Sequence, residues 1–453
     1  MTSMLPAQDN STLPASLAAM RHLVSPYGLV SKVSELPITE GEPRFHIYSG
    51  SLGNPGEALA VQSGWVHDMT SGNFDGAGGA LDRETAAHIA VAESLERYSS
   101  CAWDPDELVW ASADQLGDDA IAPARWPQCS PTELADPRNP LVSPDPRIPL
   151  RWVQGWSLTQ HRPVFVPAVQ SFLRFPPLST SERYTHPVST GCAAHCDPAA
   201  AVVNGLLEVV ERDAIALTWL QQLRLPRLDV PPEALRGEFA TYAERGRNDN
   251  IRTLLFDATT DLGIPVVYGL QLADHEADLA QIVVATCDLD RARGIAKLFR
   301  EAASLRIALR ALSAPEHRPT PDTPEDTISV VGGALLSGPP DQRHRFNFLL
   351  EGDRSVHSLT DLPRPADGES QLGWLVGRLA QHGCDVVVVD LTTDEARQVG
   401  AHVVRVLVPQ LMPLSFAHRA RYLAHPRLYD APRAMGLTAH PEAQINSYPQ
   451  PFA

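Results

Sequence analysis

The sequence predicts a mixed α/β (α+β) protein. Long alanine- and leucine-rich stretches have helical spacing, short valine-rich runs read as strands, and proline-rich segments separate them. The first helix is expected over 83–100 (RETAAHIAVAESLERYSS), which is rich in good helix formers. A second is expected over 198–221, with Asp197 as N-cap and Pro198 at the first helical position, where its missing N–H costs nothing. A third, over 292–312, is amphipathic and rich in arginine. Strands are expected at 263–271, 281–287, 385–390 and 403–408. Forty prolines is a high count, and eight fall within 123–149. That segment and a second one, 314–326 (APEHRPTPDTPED), are expected to be surface loops or connectors, because proline removes ladder and helix hydrogen bonds.

A chain of 453 residues exceeds one ordinary core, so two or three subdomains are expected. We divide it into an N-terminal segment, 1–65, and a catalytic domain, 66–453. The domain carries a proline-rich insert near 117–150, the 314–326 connector and a proline-rich tail, 446–453. No run of eighteen apolar residues occurs, and MTSMLPAQDNSTLPASL lacks a basic region followed by an apolar core. A membrane span and a secretion signal are therefore not expected. The formal net charge of −17 argues against general nucleic-acid or anionic-membrane binding, though not against a local phosphate pocket. Six scattered cysteines suit reduced thiols in a cytoplasm.

The strongest internal signal is a repeated pattern. AESLERY contains Glu93, Glu96 and Arg97; LEVVERD contains Glu208, Glu211 and Arg212. Residues three apart share a helix face, so each segment presents two carboxylates side by side, among apolar neighbours. Buried carboxylates are costly unless paired or bound to a cation. Arg97 and Arg212 can neutralise one charge each. If the helices meet, the remaining negative charge suits a hard divalent cation such as Mg2+, with phosphates completing its coordination. Taken alone, the pattern also allows two structural ion pairs.

With their surroundings, these segments resemble the YcaO family, specifically its azoline-forming peptide cyclodehydratases. The resemblance is carried by GGALDRETAAHIAVAESLERYSS, STGCAAHCDPAAAVVNGLLEVVERDAIALTWL, GIAKLFREAASLR, GCDVVVVDLTTDEARQVGAHVVRVLVPQLMPLSF and HPRLYDAP, in order from about residue 25 to the end. It implies an α/β unit that binds ATP and Mg2+ without a Walker loop; this chain has no G-x-x-x-x-G-K-[ST]. It assigns Glu93, Glu96, Glu208 and Glu211 to magnesium ions bridging the ATP phosphates. Asn204, Arg212, Lys297 and Glu301 become nucleotide-site neighbours, although Lys297 and Glu301 could equally form an exposed i,i+4 pair. Ser25, Ser31 and Lys32, in SPYGLVSK, are expected near the adenosine. A serine often found four residues before the first metal glutamate is Ile89 here, and a common Gly-Lys-Gly reads Gly78-Gly79-Ala80. The family's Pro-x-Pro-x-Pro tail, which reaches into the active site, reads Pro449-Gln450-Pro451-Phe452-Ala453. The resemblance places Pro449, Pro451 and Ala453 at the catalytic centre.

The implied reaction is ATP-dependent cyclodehydration of Cys, Ser or Thr in a ribosomally made precursor peptide. The rivals are backbone thioamide or amidine formation, and a non-catalytic scaffold. No extra leader-binding module is evident before the domain, so a separate ThiF-like or leader-binding partner is expected. A flavin dehydrogenase could act afterwards, and a homodimer is compatible with the family. Cys192, His195 and Cys196 lack a second ligand pair at zinc-site spacing and are read as ordinary thiols and a histidine. Trp219 is read as core or pocket wall.

Overall fold

The computed structural model describes residues 18–52, 75–313, 329–352, 355–365 and 370–453. The 314–326 connector and the 65/66 boundary lie outside these residues. Three sheets carry the fold. The first is an antiparallel trio, β1 (Lys32–Glu35), β2 (His46–Ser51) and β3 (Gly76–Ala80), so two strands of the N-terminal segment pair with one of the expected domain. The second runs β4 (Val109–Ala111), β5 (Leu150–Ser157), β13 (Val387–Asp390), β14 (His402–Leu407) and β7 (Cys192–His195), with β6 (Arg162–Pro167) beside β5. The third runs β11 (Gln281–Cys287), β10 (Val266–Leu272), β9 (Arg252–Asp257), β8 (Arg227–Asp229) and β12 (Val356–Ser358).

The three expected helices form within a residue or two of their predicted bounds, as α1 (Arg83–Cys101), α2 (Pro198–Leu220) and, after the short α3 (Glu238–Gly246), α4 (Arg291–Leu312). An aspartate caps each long one. Asp82 accepts from the Thr85 N–H, Asp197 from Ala199, and Asp290 from Ala292 and Arg293. The apolar α2 is buried nearly all round, as expected: it lies against β7 and β14 on one side and β11 on the other. Leu206, Val210, Ile215 and Trp219 are fully buried there, each Leu, Val or Ile contributing roughly 1.5–3 kcal/mol of apolar transfer. The α1 helix packs on β2 and β3 at very short range. A Cβ at Gly78 would meet the Ala86 carbonyl oxygen at 2.1 Å and the Ala90 nitrogen at 2.4 Å.

The proline-rich insert departs from expectation in one place. Residues 131–135 form a one-turn helix, because Ser130 and Glu133 make a reciprocal capping box and Pro131 sits at its first position. The expected strand starts at 263 and 385 fall later, at Val266 and Val387. None of the six cysteines is in a disulfide. Among the described residues, no helix is long and apolar enough to cross a membrane.

Candidate active site

Helices α1, α2 and α4 and strand β7 enclose a cavity of about 2370 Å3. Glu93, Glu96, Glu208, Glu211, Asn204, Arg212, Lys297, Glu301 and Ala453 all line it. Ser25, Ser31 and Lys32 do not. Ser25 lies in the turn before β1, and Lys32 is exposed at its start.

The two motifs are built alike. In each, the first glutamate accepts a backbone N–H from the chain segment preceding its helix, and pairs with the arginine four residues on. Glu93 Oε2 accepts from Ala77 of β3 at 2.8 Å, and its Oε1 accepts from Arg97 Nη2 at 2.6 Å and Nε at 3.1 Å. Glu208 Oε2 accepts from Gly191 at 3.0 Å, and its Oε1 from Arg212 Nη2 at 3.2 Å. Glu211 is buried and accepts from the Cys287 N–H of β11 at 2.9 Å. Among the described residues, Glu96 has no hydrogen-bond or ion-pair partner for its carboxylate; it is half-buried and lines the cavity.

Burial, then the Glu208 and Glu93 charges, push the Glu96 carboxyl well above its ordinary range, against Arg97 and Arg405. Burial also lifts Glu211 to about 7, opposed by Lys297 and Arg212. Glu301, the largest influence on Lys297, holds its ammonium above the usual range. Lys297 and Arg300 both reach Glu301, at 3.6 and 3.0 Å. The i,i+4 pair therefore exists, and both its members line the cavity.

The donor set suits Mg2+. It offers carboxylate oxygens, and one acid has no partner where two other acids crowd it. Among the described residues, no three His, Cys, Asp or Glu side chains close on one point as a protein-only cage. A cation held by a few carboxylates and completed by phosphate oxygens needs none. Lys297, Arg300 and Arg293 supply positive charge along the same wall.

The sequence reading missed Arg405 and Arg174. Arg405 donates to the Val188 carbonyl at 2.6 Å and to Cys192 Sγ at 3.2 Å, and its charge acts on Glu96. Its signal was a lone charge in an apolar strand, VVRVLV. Arg174 lines the cavity with a backbone φ of 52°, and no local pattern marks it. Cys192, His195 and Cys287 also line the cavity. Burial, then Glu211, holds the Cys287 thiol well above its usual range, so it is no ready nucleophile.

The tail is docked. Asn446 donates to the Trp219 carbonyl at 3.1 Å, and Trp219 Nε1 donates to the Tyr448 carbonyl at 3.1 Å. Pro449 and Pro451 are buried, Ala453 lines the cavity, and the Arg212 guanidinium sits 4.6 Å from the centre of the Phe452 ring. Pro449 and Pro451 do not line that cavity; Pro449 borders a small neighbouring void.

Residues 77–412 match the profile of a family described as YcaO cyclodehydratase, ATP- and Mg2+-binding. An uncharacterised protein in the tfuA 3′ region of Rhizobium leguminosarum bv. trifolii is 26% identical over 357 residues, 75% of this chain and 76% of its own length. An uncharacterised protein of Methanothermobacter thermautotrophicus is 25% identical over 343 residues, 74% of this chain and 81% of its own. Among solved structures, a heterocyclase in complex with substrate and cofactor superposes with a TM-score of 0.74 at 22% identity over 99% of this chain. The chain spans only 58% of that protein and 51% of the heterocyclase TruD. The YcaO protein of Methanopyrus kandleri, bound with AMPPCP and Mg2+, gives 0.55 at 22% identity over 84% of this chain and 86% of its own.

Proposed function

The chain belongs to the YcaO family, whose cofactors are ATP and Mg2+, and on that premise we propose that it cyclodehydrates Cys, Ser or Thr residues of a precursor peptide to thiazoline or oxazoline rings. The observation that carries this reading is the docked tail, whose Phe452 and Ala453 line the same cavity as the four glutamates. A backbone arm at the reacting end suits a ring-forming attack within the peptide better than delivery of an external sulfur or nitrogen nucleophile.

The peptide thiol or hydroxyl loses its proton to water as it attacks the preceding backbone carbonyl, and the resulting oxyanion takes the γ-phosphoryl group of ATP, releasing ADP. Loss of phosphate, with the amide proton, leaves the azoline. Glu93, Glu96, Glu208 and Glu211 would hold Mg2+, which would supply the positive charge that phosphoryl transfer needs. Asn204, Arg212, Lys297 and Glu301 orient the nucleotide. The cavity-facing stripe of α4 changes from Lys297, Arg300 and Glu301 to Leu305, Ala308 and Leu312, which gives the peptide an apolar trough beyond the phosphates. A ThiF-like or leader-binding protein delivers the substrate, and a flavin dehydrogenase converts azolines to azoles.

The test incubates the protein with ATP, Mg2+, a candidate precursor peptide and a candidate ThiF-like or leader-binding partner. Loss of one water mass per ring is expected, and Glu208→Gln and Glu211→Gln should each abolish it. A mass change of oxygen-to-sulfur exchange would replace azoline formation with thioamidation. Unchanged dehydration in both variants would remove the metal assignment.

A further inference from the structure

Strand β7 ends its sheet. It pairs with β14 on one side, and among the described residues no strand pairs with its other side. The bonds around β14 fix which groups of β7 face outwards. The Gly191 carbonyl accepts from the Val406 N–H at 2.8 Å, and opposed residues of an antiparallel pair alternate between bonded and non-bonded. Ala194, three places on and opposite Val403, falls in the non-bonded phase. Val403 agrees with this, because both its main-chain groups are used on the other side of β14. Its carbonyl accepts from the Leu391 N–H at 2.8 Å, and its N–H donates to Thr392 Oγ1 at 3.1 Å. The Ala194 N–H and C=O therefore point away from β14, and neither has a partner among the described residues. The Cys192 carbonyl points the same way, while its N–H donates to the Ser189 carbonyl at 2.9 Å.

This edge opens into the active-site cavity. Helices α1 and α2 both pack on β7, one on each face. Cys192 and Ala194 join the apolar cluster that holds Val91 and Leu95 of α1, and Ala193 joins the cluster that holds Leu206 and Val210 of α2. With both faces covered, the edge lies in the gap between the helices. All four residues of β7 line the cavity with the four glutamates, and the 3.0 Å bond from the Gly191 N–H to Glu208 sets the start of the strand beside them.

A sheet edge with unpaired main-chain groups is a template for another strand. Resting on the proposed function, we propose that β7 is the element that binds the peptide: the substrate lies in the cavity as an extended strand, its backbone paired to the Ala194 N–H and C=O and to the Cys192 carbonyl. Such pairing grips main chain and reads no side chain. It holds the peptide backbone at one depth between the two pairs of glutamates, whatever residues flank the Cys, Ser or Thr.

The test takes a peptide that the intact protein dehydrates and measures its affinity with AMPPCP and Mg2+ in place of ATP, so that nothing turns over. Backbone N-methylation is scanned one residue at a time over the cyclised residue and the three on either side. Successive N–H groups of a strand point to opposite sides, so two positions, two residues apart, should each lose about tenfold or more in affinity. The position between them should change by less than about twofold. On the protein side, Ala194→Pro removes the outward N–H without breaking a bond to β14, at an edge where proline is tolerated. It should weaken the peptide about tenfold and leave AMPPCP affinity within about twofold. If that variant does not fold, the methylation scan decides, since it leaves the protein untouched. Equal sensitivity at all positions, or none, overturns the proposal. So does a joint loss of AMPPCP binding in Ala194→Pro, since the N–H would then hold a phosphate oxygen. A protein that dehydrates no candidate peptide overturns instead the cyclodehydratase reading on which the strand rests.

Discussion

Arg427 closes on Asp213 with two nitrogens: Nε lies 2.8 and 3.0 Å from the two carboxylate oxygens, and Nη2 lies 2.7 Å from the second. Asp213 is fully buried and directly follows Arg212 of the second motif. The pair therefore fixes helix α2 against α6 (Arg427–Ala434), which follows α5 (Gln371–Gln381). Arg427→Met would leave Asp213 with its Met412 N–H bond and no counter-ion. A loss of about 3–5 kcal/mol is expected in denaturant unfolding. Asp213→Asn in the same chain should restore part of it. An unchanged midpoint for the single variant would show that the pair is not holding the helices.

The tail passes Gly333 so closely that a Cβ there would stand 1.8 Å from the Gln450 carbonyl oxygen. Gly333→Ala should lift the tail without touching the glutamates. The expected result is faster trimming by carboxypeptidase and a loss of azoline formation of tenfold or more, roughly the penalty of misplacing a positioning element. Trimming at the parent rate would show that the tail tolerates the extra methyl.

Burial, followed by Arg421 and Arg419, holds the His418 imidazole down to about 4, while a backbone bond at Ser447 acts the other way. An unfolded histidine takes its proton near 6.5. Between about 6.5 and 4 the unfolded chain binds more protons, so this group's contribution to stability is present above 6.5 and is lost as the pH falls through that window. The melting temperature of His418→Gln should fall less than that of the parent between pH 7 and 4.5, by roughly 2–4 °C. Parallel curves would exclude His418 as a source of acid sensitivity.

The three long helices and the four carboxylates were legible because their signals are local: composition, a capping aspartate, and spacing of three. Strands β3 (GAGGA) and β7 (CAAH) carried no such signal. Glycine and alanine are poor strand formers; in β3 the glycines serve because α1 leaves no room for a Cβ at positions 76 and 78. The tail pattern was legible and its resemblance placed it at the cavity, where Ala453 lies; the contacts that dock it were not, because they depend on Trp219, Asn446 and Gly333, which are distant in sequence and individually ordinary. Ser25 and Lys32 show the converse: a weak local likeness led to side chains that stand away from the cavity.

The closeness of Gly78 to α1 means that β3 and the first pair of glutamates share one mechanical plate. At Gly78 backbone lies on backbone, and the hydroxyl in the contact is itself tied in: Ser94 Oγ accepts from the Gly76 N–H at 3.1 Å and donates to the Gly50 carbonyl at 2.8 Å. A single methyl at position 78 would shift Glu93 and Glu96 together, and the strain would reach β2 through its ladder with β3. The gap between the two halves of the cavity is thus set on one side by the thickness of a hydrogen atom.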